Sequence, residues 1–364
     1  MKKTIGYDAS FAVNQYRGMG VFVNSLKNVL TKYPNIIIKG LSCYSTEDSS
    51  ILSFGSGFYP FWEQVSLPKY LKNHKPDIFI FPYNTMPWKV PKGIIKILIL
   101  HDLIFLHDQT TGKYTIRQWV GKYYRSILVK RAYKQADFVI TVSEHSKAEI
   151  IRYLGTSKEV QVIPNILKQE LSYKNTGLEL PNDLYILNVG GEAPSKNVIT
   201  LVEAYCLLPA SITSIYSLKL VGRYSSSFKN KVEKILNNKE VAKNKIEFCG
   251  YVTNEQLAAL YANCSLFVFP SIYEGFGIPL IEAMQFNKPV IVSNTSCMPE
   301  IMGKGGIYFD PTMAKDLKEK IEFTLSDNYR FESYQRHYRE QMEKYSEQVF
   351  EDRVKELIIK KFHL

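Results

Sequence analysis

The chain has 364 residues, more than one hydrophobic core usually organises, so two domains of about 150–200 residues are expected. Apolar residues make up 45% of it and charged residues 22%, which excludes a disordered chain and fits a globular enzyme. Lys and Arg number 46 against 35 Asp and Glu, and the resulting +11 favours a phosphate-rich ligand, an anionic membrane face or nucleic acid without choosing among them.

In chain order, "KKTIGYDAS" reads as a short buried strand, followed by the loop "FAVNQYRGMG" and an apolar-periodic helix "VFVNSLKNVL". Further strands are expected at "NIIIKGLS", "DIFIFP", "IKILILHDLIFL" and "DFVITVS", with helices at Leu67–Lys72, Ile116–Tyr133 and Lys147–Tyr153. Continuously apolar strands alternating with helices argue for parallel sheets covered on both faces. A polar, patternless stretch then places a domain boundary near Asn165–Pro181. The alternation restarts with strand "YILNVGG", helix "VITLVEAYCLL", strands "SLKLVG" and "KIEFCGYV", helix "NEQLAALYANC", strands "SLFVFPS" and "PVIVSN", and "GGIYFDP". The C-terminal "YSEQVFEDRVKELIIKKFHL" is amphipathic, with Val349, Val354, Leu357 and Ile358 on one side. Two doubly wound halves are the simplest reading.

Cys43, Cys206, Cys249, Cys264 and Cys297 are scattered and never form a C-x-x-C pair, so neither a zinc site nor a disulfide framework is suggested. A reducing compartment fits such usage. The longest apolar stretch, "IIKILILHDLIFL", carries Lys96, His101 and Asp102 and is too short to span a bilayer. The expectation is a cytoplasmic protein, at most peripheral on the inner face of the membrane.

The stretch richest in chemistry is "PSIYEGFGIPLIEAM", Pro270–Met284. It joins a buried strand to a helix through a loop containing Gly275 and Gly277, with Pro279 suited to the first helical position. The unpaired amides of that helix start and the positive end of its dipole would cradle a diphosphate. The two glycines let backbone approach a ligand closely. Glu282, read as lying on the first turn, would accept from ribose hydroxyls, and Glu274 in the loop would reach a sugar beyond the phosphates. The plainer alternative makes Glu282 a dipole-complementing residue and Glu274 a solvated charge; the placement of glycine and proline favours the ligand.

This stretch resembles the signature of the family 4 retaining glycosyltransferases, whose GT-B fold pairs two facing Rossmann-like domains. The resemblance implies that Glu274 contacts the transferred sugar and Glu282 the ribose, while the backbone at Gly275, Phe276, Gly277 and Ile278 contacts sugar and phosphate. "YRGMGVFVNSL" is similar to the family's glycine loop, which implies backbone approach to donor phosphate or acceptor at Gly18 and Gly20. "VGGEAPSKN" resembles the donor-phosphate segment, with Lys196 in the place of its lysine. The arginine that many relatives carry a few residues earlier is missing, so Arg223 in "LVGRY" is the expected helper. "FCGYVTNEQLAALYANCSLFVFPS" resembles the stretch before the signature, where Tyr251 and Val252 would border the base. "WEQVSLPKYL", "LHDLIFL" and "TVSEHSKAEI" resemble a subgroup that builds bacterial polysaccharide and O-antigen chains, often with mannose or related sugars.

His101 ends a buried strand, where a lone histidine is commonly structural, but strand C-termini in open α/β domains face the ligand. The resemblance implies that His101 approaches the reacting face of the sugar and that Asp102 supports the loop or acceptor. It also implies a metal-independent reaction without a cofactor, consistent with the lack of a D-x-D pair. The implied partners are a GDP-, UDP- or dTDP-linked sugar and a glycan acceptor that can be lipid-linked. The implied domains are residues 1–170 on the acceptor side, 181–344 for the nucleotide sugar, and a C-terminal helix, 345–364, packing back toward the first domain.

"GKYTIRQWVGKYYRSILVKRAYKQ" has seven basic residues and no acidic one. Trp119, Tyr123 and Ile127 recur at helical spacing, with Arg117, Lys122 and Arg125 largely opposite. A core helix with a solvated basic face and a surface touching anionic lipid headgroups both remain open. Two rival functions are weaker. "GMGVFV" lacks the third glycine of a dinucleotide-binding fingerprint, which speaks against an oxidoreductase. No nucleic-acid-binding motif accompanies the positive charge. A catalytically inactive GT-B subunit is a third alternative, against which intact Glu274, Glu282, Lys196 and His101 speak.

Overall fold

In the computed structural model of the protein, residues 2–13, 18–107, 116–166, 183–236 and 245–364 are described, excepting the side chains of 116–120. Most of the expected boundary stretch Asn165–Pro181 lies outside them, as do the side chains of Arg117 and Trp119.

Seven strands form the first sheet: β1 Lys3–Asp8, β2 Ile36–Ser42, β3 Ile51–Ser53, β4 Ile78–Phe81, β5 Ile95–Leu100, β6 Phe138–Thr141 and β7 Val160–Val162. Their spatial order is β3-β2-β1-β4-β5-β6-β7. The second sheet contains β8 Leu184–Val189, β9 Tyr216–Val221, β10 Ile246–Gly250, β11 Leu266–Phe269, β12 Val290–Ser293 and β13 Ile307–Phe309, in the order β10-β9-β8-β11-β12-β13. Every pairing is parallel. All four residues of β4, β6, β11 and β12 are buried, which is why these strands read as apolar runs, broken only by Thr141 and Ser293 at the ends of β6 and β12. Both sheets are doubly wound. Each reverses its strand order once, between β1 and β4 in the first and between β8 and β11 in the second. Ligands in such sheets bind beyond the strand C-termini at that reversal.

The described residues group into two compact units. The first takes the chain through residue 107, residues 116–166 and Tyr345–Leu364; the second takes residues from 183 to Lys344. Its own core fills each unit, around Trp62, Phe81 and Leu98 in the first and around Leu201, Leu220 and Val268 in the second. In the first unit the terminal helix Glu347–Val354 starts at Ser346, whose Oγ accepts from Val349 N at 3.3 Å, and continues as a π-helical segment, Lys355–Lys360. Its buried stripe runs through Phe350, Val354 and Ile358, four residues apart, while Val349 and Leu357 are only half-buried. The Phe350 ring stands edge-on to Phe22 with centroids 5.4 Å apart.

One expected strand is too long. β5 stops at Leu100, and Ile104–Leu106 forms a 3-10 turn started by Asp102, whose Oδ1 accepts from Ile104 N at 3.1 Å. The local side-chain bond offers the backbone an alternative to the ladder. Among the described residues, no helix is long and apolar enough to cross a membrane.

Candidate active site

In the second unit, the loops following β8, β9, β10 and β11 emerge at the same end of the sheet. After β8, Gly190 N donates to Val221 O at 2.9 Å and Glu192 N to Arg223 O at 3.3 Å, tying this loop to the one after β9. Glu192 reinforces the tie by accepting from Ser225 N and Oγ at 2.6 and 2.7 Å. Gly222 N in turn donates to Gly250 O at 2.9 Å, drawing in the loop that carries Tyr251 and Val252. Tyr251 is exposed and Val252 buried; Arg223 is exposed.

Across the strand-order reversal, Lys196 meets Glu274. Lys196 ends a 3-10 turn, Pro194–Lys196, and Asn197 behind it takes the left-handed conformation and opens the helix Val198–Cys206. Its Nζ lies 2.5 Å from Glu274 Oε1. The two side chains keep 27% and 14% of their surface exposed, so the pair is partly shielded and still reachable by solvent.

Glu274 owes its position to a clamp built from the end of β12 and the residues after it. Ser296 Oγ accepts from Glu274 N at 3.1 Å and donates to Glu274 O at 2.8 Å. Cys297 Sγ donates to the carbonyls of Glu274 and Phe276, while Ser293 Oγ donates to Ser271 O and Thr295 Oγ1 to Ile272 O. Burial and the nearby Glu274 charge hold the Cys297 thiol well above its usual range, which keeps the S–H donor in place. These four residues were not singled out from the sequence. The available signal was the small polar run "SNTSC" beginning with the last residue of buried β12.

The helix Ile278–Gln285 begins one residue earlier than expected, with left-handed Gly277 (φ 92°) as its cap, so Pro279 takes the second position. Glu282 is therefore not on the first turn; it lies on the second, buried, and its Oε2 accepts from Tyr261 Oη at 2.8 Å. No side chain among the described residues caps this helix start.

The remaining expected residues lie in the first unit. Gly18 (φ 63°) is exposed and caps the helix Met19–Thr31, whose second residue is buried Gly20. His101 is 4% exposed, its Nε2 3.0 Å from Pro82 O and its ring edge-on to Phe22. A carbonyl partner makes Nε2 the protonated nitrogen. Burial lowers the imidazole pKa to about 4, so His101 is neutral at physiological pH.

Another cluster sits at the reversal of the first sheet. Asp8, at the end of β1, accepts from Ser10 N through Oδ1 and from Tyr59 Oη through Oδ2, at 2.8 and 2.9 Å. Glu63 accepts from Thr85 Oγ1 at 2.5 Å, from Gln64 Nε2 at 2.8 Å and from Tyr124 Oη. Burial raises the pKa of both carboxyls, that of Asp8 to about 7. Between the ordinary value of 3.8 and about 7, folded Asp8 keeps a proton that the unfolded chain has shed, so stability present at low pH is lost as pH rises through this window. His101 acts oppositely: the unfolded chain takes up its proton first as pH falls below 6.5, eroding stability down to about pH 4. Asp8→Asn removes the first effect alone. Its melting temperature relative to wild type should climb between pH 4 and 7, by the equivalent of about 2–4 kcal/mol. Thermal denaturation across that range checks this, and a flat difference counts against it.

A family model described as Glycosyl transferases group 1 matches residues 172–349, and one described as Glycosyltransferase Family 4 matches residues 43–169. The serotype-specific mannosyltransferase WbdA of Escherichia coli is 28% identical over 278 residues, covering 73% of this chain and 32% of its own length. The chain thus spans about a third of that relative. The O-antigen chain mannosyltransferase B of Escherichia coli is 28% identical over 277 residues, covering 71% of this chain and 68% of its own. Among solved structures, sucrose-phosphate synthase from Thermosynechococcus elongatus superposes over 100% of both chains with a TM-score of 0.77 at 18% identity, a likeness of fold.

Proposed function

We propose that this chain, which belongs to the group 1 and family 4 glycosyltransferases and shares their GT-B fold, moves a hexose from a nucleoside-diphosphate sugar to a hydroxyl of a growing cell-surface glycan with retention of configuration. The observation that carries this reading is the meeting of Lys196 with Glu274 over the strand-order reversal, a cation for phosphate beside a carboxylate for sugar hydroxyls. The mannosyltransferase relatives favour mannose as the hexose.

In the reaction, the bond from the anomeric carbon to the β-phosphate oxygen breaks and a bond to the acceptor oxygen forms on the same face. The acceptor proton passes to the departing phosphate. Charge accumulates on that phosphate, where Lys196 and the amides of Gly277 and Ile278 stabilise it electrostatically. Arg223 supplies a second, more exposed cation. Glu282, steadied by Tyr261, takes the ribose hydroxyls, and the Tyr251–Val252 backbone borders the base. His101 assists from the acceptor-side unit as a neutral imidazole, alongside Gly18, Gly20 and Asp102. No cofactor or resident metal enters the scheme.

Lys196→Ala should weaken binding of the matched nucleoside diphosphate about 10- to 100-fold, the range of a lost charge-assisted hydrogen bond. Calorimetric titration against GDP, UDP and dTDP would identify the base and measure the loss together. Unchanged affinity in the variant would show that phosphate is held elsewhere.

A further inference from the structure

We infer that the first unit carries a docking surface for anionic lipid bilayers, built from exposed aromatic residues set among lysines and arginines on two neighbouring helices and one loop. This does not depend on the reading of the donor site.

The first helical stretch runs from Tyr59 to His74. Its outward residues are Phe61, 51% exposed, and Val65, followed by Lys69 and Lys72, with the capping Phe58 just before it 68% exposed. That spacing is one face of the helix, apolar at its start and basic at its end. The second is the helix Ile116–Gln135, where Tyr123 and Ile127 are exposed and Lys130 and Lys134 continue the same row. Both rows follow one design.

Hydrogen bonds set these stretches side by side. Gln64 Nε2 donates to Tyr124 Oη at 3.1 Å, and Gln64 Oε1 accepts from Trp88 N at 2.8 Å. Trp88, 45% exposed, is clasped by the second helix: Arg131 lies 4.1 Å over its ring and Gln135 Nε2 donates to its carbonyl. Exposed Lys89 follows directly, with Lys92 three residues further on. The sole acidic side chain in the three segments is Glu63, which is buried and committed to Thr85, Gln64 and Tyr124.

Exposed Phe, Trp and Tyr carry a hydrophobic hydration cost in water that a headgroup and acyl boundary relieves, while lysines reach outward to anionic headgroups. A nucleic-acid duplex would use the cations but has no place for Phe58, Phe61, Val65 and Ile127, and a single strand could stack on the rings but not on Val65 and Ile127, so the composition points to lipid. Each cation close to an anionic surface strengthens binding about fivefold. Such a surface would hold the enzyme where a lipid-linked acceptor lies.

The test is flotation of the full-length chain with vesicles of phosphatidylcholine alone or mixed equally with phosphatidylglycerol, at low and high salt. Binding is expected to the mixed vesicles, to weaken with salt and to be slight on phosphatidylcholine. Phe58→Ser/Phe61→Ser should lower affinity for mixed vesicles at least about tenfold, and Lys130→Glu/Lys134→Glu should do likewise. Both variants should melt as wild type does and transfer normally to a water-soluble acceptor, so failure here is separable from failure of the donor site. Equal binding to both vesicle types overturns the inference, as does the absence of binding at low salt. It is also overturned if the aromatic variant binds undiminished, if an oligonucleotide binds more tightly than the mixed vesicles, or if the surface proves to be a self-association interface broken by Phe61→Ser in sedimentation.

Discussion

Glu274→Gln should cut glycosyl transfer by on the order of a hundredfold or more, yet tighten the hold on a bare nucleoside diphosphate about tenfold. In the structure the Glu274 carboxylate occupies the Lys196 ammonium at 2.5 Å, the group assigned above to the β-phosphate. On the proposed function, an incoming donor would displace the carboxylate from the lysine and offer it sugar hydroxyls in exchange. A diphosphate without sugar offers no exchange and leaves two anions sharing one cation. Glutamine keeps the side-chain shape and leaves the backbone clamp from Ser296 and Cys297 intact, so only charge is removed. Titrations with the sugar nucleotide and with its diphosphate, set beside single-turnover rates, separate these effects. If both ligands lose affinity in parallel, the exchange is refuted.

Gly222→Ala is expected to be the most damaging single-methyl change near the site. A Cβ at Gly222 would stand 2.8 Å from Gly190 O and 2.9 Å from Gly191 N, both backbone atoms that no side-chain rotation can move, and φ of 138° is a conformation that alanine rarely adopts. Strain and overpacking together should cost about 3 kcal/mol or more, which lowers the melting point of a unit this size by about 6–12 °C. The loop that yields leads directly to Lys196, so diphosphate affinity should fall as well. Gly250 supplies the control: its φ of 69° is one that asparagine tolerates, and open space surrounds the place a Cβ would take. Gly250→Asn should therefore leave melting and binding nearly unchanged, and differential scanning calorimetry of the two variants decides the comparison.

The alternation of buried strands and amphipathic helices was legible because β4 and β11 are wholly apolar, and β5, β6, β8 and β12 each carry a single polar residue, Lys96, Thr141, Asn188 and Ser293. The edge strand β3 escaped notice: three residues, two of them exposed, leave no pattern to read. The extension of β5 through Leu106 failed because an Asp102 side-chain bond outbids the ladder, a competition that apolar periodicity does not record. The turn assigned to Glu282 shifted because left-handed Gly277 starts the helix, a backbone choice invisible in composition. Lys196 and Glu274 were each marked by their local glycine-rich context. Their contact joins residues 78 apart, and the clamp joins residues 21 to 23 apart, so neither follows from spacing. Asp8 and Glu63 escaped because a buried carboxylate looks, in sequence, like any surface acid.

The segment Tyr345–Leu364 has a consequence for biosynthesis. Phe350, Val354 and Ile358 complete a core whose other members precede residue 167, so the half translated first is the last to be finished. While the ribosome works through the contiguous second half, Phe22 lacks the ring that later covers it, until the helix carrying Phe350 emerges.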